Sequence, residues 1–352
     1  MTCKKNFTTH RRVIGLIVLA LLTVPIIFQH SAHAADQELN LYSARHYASD
    51  DALYAEFTKR TGIRIHQIQA GDEAILERLK SEGKASPADV ILLADAARLW
   101  KAQSEGLFQP AQSSVLKTAV PKDLQSEDLW FGLTTRARLI VYDKKKIKPT
   151  DIRTYTDLAK PEFKGKVCTR SGTHPYMLSL LAAVIAHEGE AKAETWARGV
   201  VSNLARTPRG GDTDQIKAVA SGECAIALTN SYYLVRMLKS ANVAEKEAAA
   251  SLGVVWPNQS TTGAHVNVSG GGIARHAPHP QAARQFLEFL VSESAQAQFA
   301  NANNEWPAVR GVKIENPELS GLGKFKADRL GINAIGQRQP QAAQIMDRVG
   351  WK

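Results

Sequence analysis

Short hydrophobic runs alternate with amphipathic segments along most of the chain. Between Leu39 and about Ala300, runs of strand-forming residues are followed by apolar residues at the helical period of 3.6. The first five elements predicted in this way are strand, helix, strand, helix and strand, over Leu39–Tyr42, Leu53–Gly62, Ile63–Ile68, Ala74–Glu82 and Asp89–Leu93. This alternation is typical of an α/β protein with a mainly parallel sheet.

A second α/β series follows the first. Leu139–Tyr142 is predicted to be a strand leaving the first series, and Tyr176–Glu188 a helix with Pro175 in its first turn. The chain crosses between the series near residues 136–142 and 254–268, and such a paired crossing forms a hinge beside a cleft. The predicted parts are a first N-lobe segment, a C-lobe, and a return segment, mainly N-lobe with C-terminal helices, over 35–138, 139–258 and 259–352.

The first 34 residues have the features of an export signal. A basic region that includes Arg11 and Arg12 precedes the apolar run Val13–Ile27, and Ala32 and Ala34 offer the small residues that a signal peptidase reads. We predict a cleaved signal peptide over 1–34 and a periplasmic protein; the alternative is an uncleaved membrane anchor. The arginine pair is compatible with either the ordinary secretory route or the twin-arginine route.

Charge and cysteine content narrow the function further. Removing the four basic residues of 1–34 lowers the formal net charge from +10 to +6, and the dense basic run Lys144–Lys146 has no interleaved aromatic residue. A nucleic-acid partner is therefore not expected. Cys168 and Cys224 remain after cleavage, and in an oxidising compartment we expect them to form a disulfide.

Four of the eight tyrosines fall in loops between a predicted strand and the next helix. Tyr47 follows the first strand, Tyr176 follows a strand of the second series, and Tyr232 and Tyr233 follow another. Loops at the carboxyl ends of strands line the ligand crevice of open α/β sheets. We therefore expect the four phenols and the imidazole of His46 to face one cleft.

Phenolate is a hard anionic ligand that suits a hard trivalent cation such as Fe(III). A bound cation lowers the pKa of its ligands, so phenols can bind as phenolates although they ionise at about pH 10 when free. Four phenolates would leave the Fe(III) site near −1, and Arg136 and Arg138, on one face of a predicted strand, are the expected compensation. Taken singly, each residue could also be a packed aromatic, a stacking platform or a salt-bridge partner.

Several motifs resemble those of the bacterial ferric-iron-binding proteins of ABC importers. They are Leu41–Tyr47, Glu82–Val90, Asp157–Ala159 with Phe163–Lys166, Gly222–Cys224 followed by Asn230–Tyr233, and Asn304–Pro307. The similarity spans nearly the whole chain after residue 34, and the doubled tyrosine is its most specific element. The resemblance implies a two-lobed periplasmic-binding-protein fold of type II: two mainly parallel sheets joined by a two-strand hinge.

The resemblance also implies a ligand set. Tyr232 and Tyr233 match the paired tyrosine ligands, His46 matches a first-lobe histidine, and Tyr47 and Tyr176 match the extra tyrosines of a subgroup that uses four phenolates. Other members complete the shell with carbonate or phosphate, and their anion loop matches the segment that begins at Ser171. This sequence has no clean match to the carboxylate ligand of those members, so we expect a shell that is complete or nearly complete without an anion. Arg136, Arg138 and Ser171 are the residues expected to hold an anion or to compensate charge.

Three functional hypotheses follow. The first is a monomeric carrier that binds ferric iron, free or as a chelate, and delivers it to the membrane permease of an ABC importer. The second is a protein of the same fold for an oxyanion or a small organic solute, such as a polyamine or phosphonate, bound by Ser171, Thr173 and the arginines. The third is an exported enzyme, which is not expected because neither a nucleophile elbow nor an HExxH motif is present.

Overall fold

The computed structural model describes residues 1–3, 5, 38–45 and 47–352. Residues 35–352 form one unit that contains every element discussed below. The predicted signal peptide, apart from residues 1–3 and 5, and the predicted ligand His46 lie outside the described residues.

One mixed sheet runs through the described chain, in the strand order β2-β1-β3-β10-β6-β8-β7. Shorter strands flank this path: β4 pairs with β10, and β5, β9 and β11 pair with β6. The strands are β1 (Glu38–Ser43), β2 (Arg64–Gln69), β3 (Val90–Leu93), β4 (Phe108–Gln109), β5 (Gln125–Ser126), β6 (Trp130–Tyr142), β7 (Val167–Cys168), β8 (Ile226–Asn230), β9 (Gly253–Val255), β10 (Val266–Ala274) and β11 (Trp306–Pro307).

Strand β6 connects the two halves of this sheet. Residues 131–137 pair antiparallel with β10, and residues 138–142 pair antiparallel with β8. Parallel pairing joins β1 to β2 and β3 on one side and β7 to β8 on the other. We call β2-β1-β3-β10-β6 the first sheet and β6-β8-β7 the second sheet; the two share β6.

Helices cover the faces of both sheets. They are α1 (Asp50–Thr61), α2 (Asp72–Glu82), α3 (Ala96–Ser104), α4 (Ser114–Ala119), α5 (Pro175–Glu188), α6 (Glu190–Ser202), α7 (Asp212–Ala220), α8 (Ser231–Leu238), α9 (Val243–Ser251), α10 (Pro280–Leu290), α11 (Glu293–Asn303), α12 (Pro317–Gly321), α13 (Ile332–Gln337) and α14 (Gln339–Val349). In the described part of the chain, no helix combines the length and the apolar character needed to cross a membrane.

The predicted elements are present, with two differences in extent. Strand β6 begins at Trp130 rather than Leu139, and all of its residues are buried. The hydrophobic pattern of residues 280–293 predicts a single helix, but α10 ends at Leu290, because Ser292 accepts a hydrogen bond from Ala295 N and caps a separate helix, α11. Polar residues that are buried in ion pairs, and a capping serine, explain why the hydrophobic pattern misplaced these ends.

Strand β10 passes through the centre of the sheet with three consecutive glycines. A Cβ atom on Gly270 would lie 2.5 Å from the carbonyl oxygen of Phe131, and one on Gly271 or Gly272 would also collide with neighbouring backbone. Only glycine allows this close approach. The glycine run that the sequence places at a crossing is therefore the interior of a strand.

Apolar packing stabilises both sheets. Helices α1 and α10 cover the first sheet, with the rings of Phe57 and Phe286 in edge contact at 5.0 Å. On the second sheet, β7 carries Cys168, which forms a disulfide with Cys224 just before β8; their Cα atoms are 5.9 Å apart. The expected pairing of these two cysteines is therefore present in the structure, where it ties together two adjacent strands.

Candidate metal centre

The four tyrosines of the predicted site lie where strands give way to helices. Tyr47 lies between β1 and α1, Tyr176 is the second residue of α5, and Tyr232 and Tyr233 lie in the first turn of α8. Local capping fixes the start of α5, because Pro175 occupies its first position and His174 Nδ1 accepts a hydrogen bond from Tyr176 N at 3.2 Å. Tyr176, Tyr232 and Tyr233 therefore project from the first turns of helices, whereas Tyr47 projects from the segment between β1 and α1.

The structure brings the four tyrosines together. The hydroxyl oxygens of Tyr176 and Tyr232 are 3.1 Å apart, and the rings of Tyr232 and Tyr233 lie 4.1 Å apart. The ring of Tyr47 meets that of Tyr232 edge-on, with 6.4 Å between centroids. Phenols carried by the loop after β1 and by α5 and α8 thus form one cluster.

The environment keeps three of these phenols, those of Tyr47, Tyr176 and Tyr232, protonated when no cation is bound. Burial, together with the charge of Glu305, raises the pKa of Tyr47 well above its ordinary value, against the opposing charges of Arg136 and Arg45. Burial and the neighbouring phenols likewise raise the pKa of Tyr232 well above its ordinary value. Burial also raises the pKa of Tyr176. A cation that binds here as a phenolate complex must therefore displace protons.

Guanidinium groups surround the phenol cluster. Each lies over the face of at least one of the tyrosine rings, with its central carbon between 4.8 and 6.0 Å from a ring centroid; the residues are Arg45, Arg136, Arg138, Arg170 and Arg236. Cations held this close stabilise negative charge that develops on the phenol oxygens. The cluster is therefore built to tolerate phenolates.

Several hydrogen-bond donors beside the phenols are buried and lack a partner among the described residues. They are the Nε atoms of Arg136, Arg138 and Arg170, the amide nitrogen of Asn230 and the hydroxyl of Ser231. Buried donors are normally satisfied, and leaving one unpaired costs about 1–3 kcal/mol. These unpaired donors beside the phenol cluster could bind the oxygen atoms of phenolates or of another anion.

On the first-sheet side, buried carboxylates hold two of the arginines. Glu305 is 0% exposed; its Oε2 accepts from both terminal nitrogens of Arg45 at 3.2 Å, and its Oε1 lies 3.5 Å from Arg136 Nη2. Its Oε1 also accepts the hydroxyl of Tyr47 at 3.1 Å. Burial alone would raise the pKa of Glu305, but Arg45 and Arg136 hold it below its ordinary value, so the group is a carboxylate. Asp50 accepts from Arg45 Nε at 2.7 Å and completes this set.

On the second-sheet side, a different carboxylate holds Arg138. Asp212 Oδ2 accepts from Arg138 Nη1 and from the backbone N of Asn230, each at 2.7 Å. Arg170 Nη1 lies 3.7 Å from Asp212 Oδ1. Burial of the ring, together with the charges of Arg170 and Arg138, lowers the pKa of His174 to about 3, so that the imidazole is neutral. Arg138 is thus paired already, while Arg170 shares the same carboxylate.

Two other predicted site residues stand apart from the cluster or outside the described chain. Ser171 lies one loop ahead of α5, and its hydroxyl hydrogen-bonds the hydroxyl of Thr173 at 2.8 Å rather than a tyrosine. His46 falls outside the described residues. Within the described ranges, no group of three or more His, Cys, Asp or Glu side chains is arranged to hold a metal.

The sequence did not predict the acidic partners or three further neighbours of the cluster. Glu305 lies in the motif Asn304–Pro307, which resembles ferric-iron-binding proteins but does not by itself indicate a role for the carboxylate. Asp212, Arg170 and His174 carried no signal that separates them from surface residues. Arg45 precedes two predicted ligands directly, and that adjacency was the only sequence signal available.

The fold and the site define the class of the protein. Residues 52–327 match the family of bacterial extracellular solute-binding proteins, and the chain belongs to this family. Its fold is the two-lobed, type II periplasmic-binding-protein fold, in which two sheets are joined by a hinge. The fold predicted from the resemblance is thereby confirmed.

Several proteins to which this chain is similar are named for iron uptake or ferric-iron binding, or have been solved in complex with iron. Iron uptake protein A1 of Synechocystis is 48% identical over 317 residues, which cover 90% of this chain and 88% of that protein. A Trichodesmium protein whose structure was solved in complex with iron and citrate ligands is 47% identical, with a TM-score of 0.86 and coverage of 90% of this chain and 100% of that one. A ferric binding protein from Campylobacter jejuni is 38% identical, with a TM-score of 0.84 and coverage of 89% and 100%.

Proposed function

We propose that this chain binds Fe(III) through the phenolates of Tyr47, Tyr176, Tyr232 and Tyr233 and delivers it to the permease of an ABC importer. The observation that carries the proposal is the clustering of these phenols under a ring of arginines. Phenol oxygens that become phenolates are hard ligands for a trivalent cation. His46, next to Tyr47 in the same loop, is the proposed fifth ligand. The iron-named relatives support the same assignment.

Capture takes place in two stages in this proposal. Tyr176, Tyr232 and Tyr233 come from one sheet and bind first, while Tyr47 and His46 complete the shell as the lobes close. The N-lobe is predicted to comprise residues 35–138 and most of 259–352, and the C-lobe residues 139–258. A ligand held by both lobes favours the closed form because it binds that form more tightly. The permease then recognises the closed form.

The charges around the site favour an Fe(III) coordination shell that needs no exogenous anion, or only a weakly bound one, as a further ligand. Four phenolates and Fe(III) leave a net charge near −1. Arg45 and Arg136 face two carboxylates, whereas Arg138 and Arg170 face only Asp212. The surplus positive charge near the phenols therefore comes from Arg170 and from Arg236, which lies over the rings of Tyr232 and Tyr233. A carbonate, phosphate or chelate carboxylate that joins the shell could bind the unused donors of Arg136 and Arg170, whereas the hydroxyl of Ser171 is already hydrogen-bonded to that of Thr173.

The competing functions fit the site less well. An oxyanion or organic-solute site would use the arginine donors and could accept from single hydroxyls, but it would not require phenols whose oxygens lie 3.1 Å apart. An enzyme would need an acid–base pair, and His174, with a pKa of about 3, is neutral and engaged in capping α5. We therefore propose a transport protein without enzymatic activity.

Export and assembly complete the proposal. Residues 1–34 act as a cleaved signal peptide, by the secretory or the twin-arginine route, and the mature protein works as a monomer in the periplasm. There the disulfide between Cys168 and Cys224 persists, since that compartment is oxidising. A thiol titration of the unfolded, unreduced mature protein checks this: the proposal predicts no free thiol, and two thiols per chain would contradict it.

A spectroscopic titration tests the proposed function. The mature protein is titrated with Fe(III)-citrate and its visible absorption is recorded beside that of Tyr232→Phe/Tyr233→Phe. The proposal predicts a broad phenolate-to-iron charge-transfer band that the double variant loses. A folded wild-type protein without the band would refute it and would move the assignment to an anion or a small organic solute.

A further inference from the structure

Trp351 packs against the segment that leads into the first turn of α5. This segment, residues 169–174, lies between β7 and α5, and we call it the β7–α5 loop. Trp351 Nε1 donates to the hydroxyl of Thr169 at 3.1 Å, and both residues are buried. A Cβ atom on Gly172 would lie 2.3 Å from the carbonyl oxygen of Trp351, so the two backbones touch there and only glycine fits. The contacts of Trp351 at Thr169 and Gly172 therefore flank Arg170.

The other polar contacts of the β7–α5 loop do little to fix the backbone at Arg170. The hydroxyls of Ser171 and Thr173 hydrogen-bond each other at 2.8 Å, and Thr173 N donates to the hydroxyl of Ser171 at 3.2 Å, so both bonds stay within the loop. Arg170 Nη1 lies 3.7 Å from Asp212 Oδ1, and its Nε has no partner among the described residues. The contacts that join this part of the loop to another part of the fold are therefore chiefly those of Trp351.

Trp351 is itself held firmly by two helices. Gly350 ends α14 in the left-handed conformation, with φ of 70°, and turns the chain toward the β7–α5 loop. The ring of Trp351 lies 5.8 Å from that of Trp196 in α6, and the ion pairs of Arg348 join α14 to α6. The indole is thus a rigid support for the loop.

We propose that Trp351 is a positioning residue: it fixes the backbone on both sides of Arg170 and thereby holds the guanidinium over the ring of Tyr176. This inference rests on the proposed function. The central carbon of the guanidinium lies 5.2 Å from the ring centroid of Tyr176. None of these contacts uses a phenol proton, and a guanidinium attracts a phenolate more strongly than a phenol, so the arrangement serves the iron-bound form. Because the folded chain already orders the loop, iron binding loses less conformational entropy.

A double-mutant cycle in iron affinity tests the route through Arg170. Trp351→Phe keeps an aromatic ring beside Trp196 but removes the Nε1 donor to Thr169. We expect iron affinity, measured by competition with citrate, to fall about fivefold, the effect of losing one neutral hydrogen bond. In an Arg170→Gln background the same change should alter affinity by less than about twofold, because its effect passes through Arg170. Equal losses in both backgrounds, or no loss in the wild-type background, would overturn the inference.

The hydrogen-bond partner of the indole provides a rescue experiment, which also covers the case in which Trp351→Phe does not fold. Thr169→Val keeps the side-chain shape but removes the acceptor, and it should lower iron affinity as Trp351→Phe does. Thr169→Ser keeps the hydroxyl and should bind iron like the wild type. A loss for Thr169→Ser as large as that for Thr169→Val would show that the hydrogen bond does not position Arg170, and the inference would fall.

Motion of the Arg170 backbone amide gives a readout that does not need iron. In the metal-free protein, ¹⁵N relaxation should show more fast motion of this amide in Trp351→Phe and Thr169→Val, but not in Thr169→Ser. Unchanged relaxation in the first two variants would contradict a positioning role.

Arg348→Gln is the matched control for a general loosening of α14. The ion pairs of Arg348 join α14 to Glu190 and Glu194 of α6 rather than to the β7–α5 loop, so this variant should leave iron affinity unchanged. A loss equal to that of Trp351→Phe would assign the effect to helix packing and overturn the inference. A wild-type protein without the charge-transfer band would instead refute the proposed function, so the two failures are distinguishable.

Discussion

The two sides of the phenol cluster hold their tyrosines in different ways. On the second-sheet side, Tyr176 and Tyr232 share a hydrogen bond, and the nearby carboxylate of Asp212 bonds Arg138 and a backbone amide rather than a phenol. On the first-sheet side, Tyr47 donates to the buried carboxylate of Glu305. On the second-sheet side the phenols are thus hydrogen-bonded to each other, whereas on the first-sheet side a single phenol is hydrogen-bonded to a carboxylate.

Charge differs between the two sides as well. Arg45 and Arg136 are matched by Asp50 and Glu305, but Arg138 and Arg170 share Asp212. The side that carries three of the tyrosines therefore has the surplus positive charge and most of the unused donors. We therefore propose a division of labour between the two sides. The second-sheet side binds Fe(III) first, and the first-sheet side completes the ferric shell.

The largest expected effect tests that division directly. Tyr232→Phe/Tyr233→Phe removes two phenolates from the second-sheet side. Mutating a residue that only supports a metal ligand typically lowers metal affinity about 10–100-fold, and the loss of two ligands should lower iron affinity by far more. Tyr47→Phe should retain binding but release iron faster, since the second-sheet side remains intact. Affinity is measured by competition with citrate and release by stopped-flow absorption.

Tyr142→Phe is the control for these variants. Tyr142 lies at the far end of β6 and is not part of the phenol cluster, so its variant should behave like the wild type. If Tyr47→Phe abolished binding as completely as the double variant, the two sides would contribute equally and the division of labour would be wrong.

The pH dependence of iron affinity counts the phenols of each side. The raised pKa values of Tyr47, Tyr176 and Tyr232 mean that these three phenols carry their protons in the metal-free protein throughout the physiological range, so each of them releases one proton when it binds iron. Affinity must then rise with pH and fall with acid, by roughly one unit of log K per pH unit for each phenol that binds. Competition with a chelator of known protonation, between pH 6 and 8, measures this slope.

Tyr47→Phe provides the comparison in the pH experiment. Its slope should be lower than that of the wild type by about one. An unchanged slope would show that Tyr47 binds no iron or binds it as a neutral phenol, and the first-sheet side would then not complete the shell.

Stability should depend strongly on the acid of the second-sheet side. Asp212→Asn leaves the buried guanidinium of Arg138 without its countercharge, and we expect the free energy of unfolding to fall by about 3 kcal/mol. Urea denaturation of the metal-free protein measures the loss. Glu245→Gln, which removes an exposed ion pair with Lys217, should have little effect. A small loss for Asp212→Asn would mean that water solvates Arg138 in its place.

The smallest effect concerns the surplus charge. Arg170→Gln keeps much of the side-chain length but removes the positive charge over the ring of Tyr176. Iron affinity should fall about tenfold, since one neighbouring cation commonly shifts such equilibria by about one logarithmic unit. Arg209→Gln, at an exposed arginine of the same lobe paired with Glu223, is the control. Equal affinities for the two variants would place the compensating charge elsewhere.

The sequence predicted that the four tyrosines would lie together, because their positions follow from local pattern. Each lies just after a strand, and strand ends meet at the cleft of an α/β sheet. The start of α5 could also be read from Pro175, whose fixed φ favours the first helical turn. Element order and the position of the phenols are therefore local information, carried by short segments.

The acids of the site could not be predicted in this way. Arg45 meets Glu305 across 260 residues of sequence, and Arg138 meets Asp212 across 74. Such pairs depend on the assembled sheet, and an isolated acidic residue has no signal that separates it from a surface one. The same pairs hid the first half of β6, where buried polar residues such as Thr134 and Arg136 interrupt the hydrophobic pattern.

The most direct test of the ferric site is a crystal structure of the iron-loaded protein, with the metal located by anomalous diffraction at the iron edge. The account predicts one strong peak within bonding distance of the hydroxyl oxygens of Tyr47, Tyr176, Tyr232 and Tyr233, with Glu305 beside Tyr47 but not bound to iron. A peak away from these oxygens, or one held by Glu305 and Asp212 instead, would contradict the phenolate site.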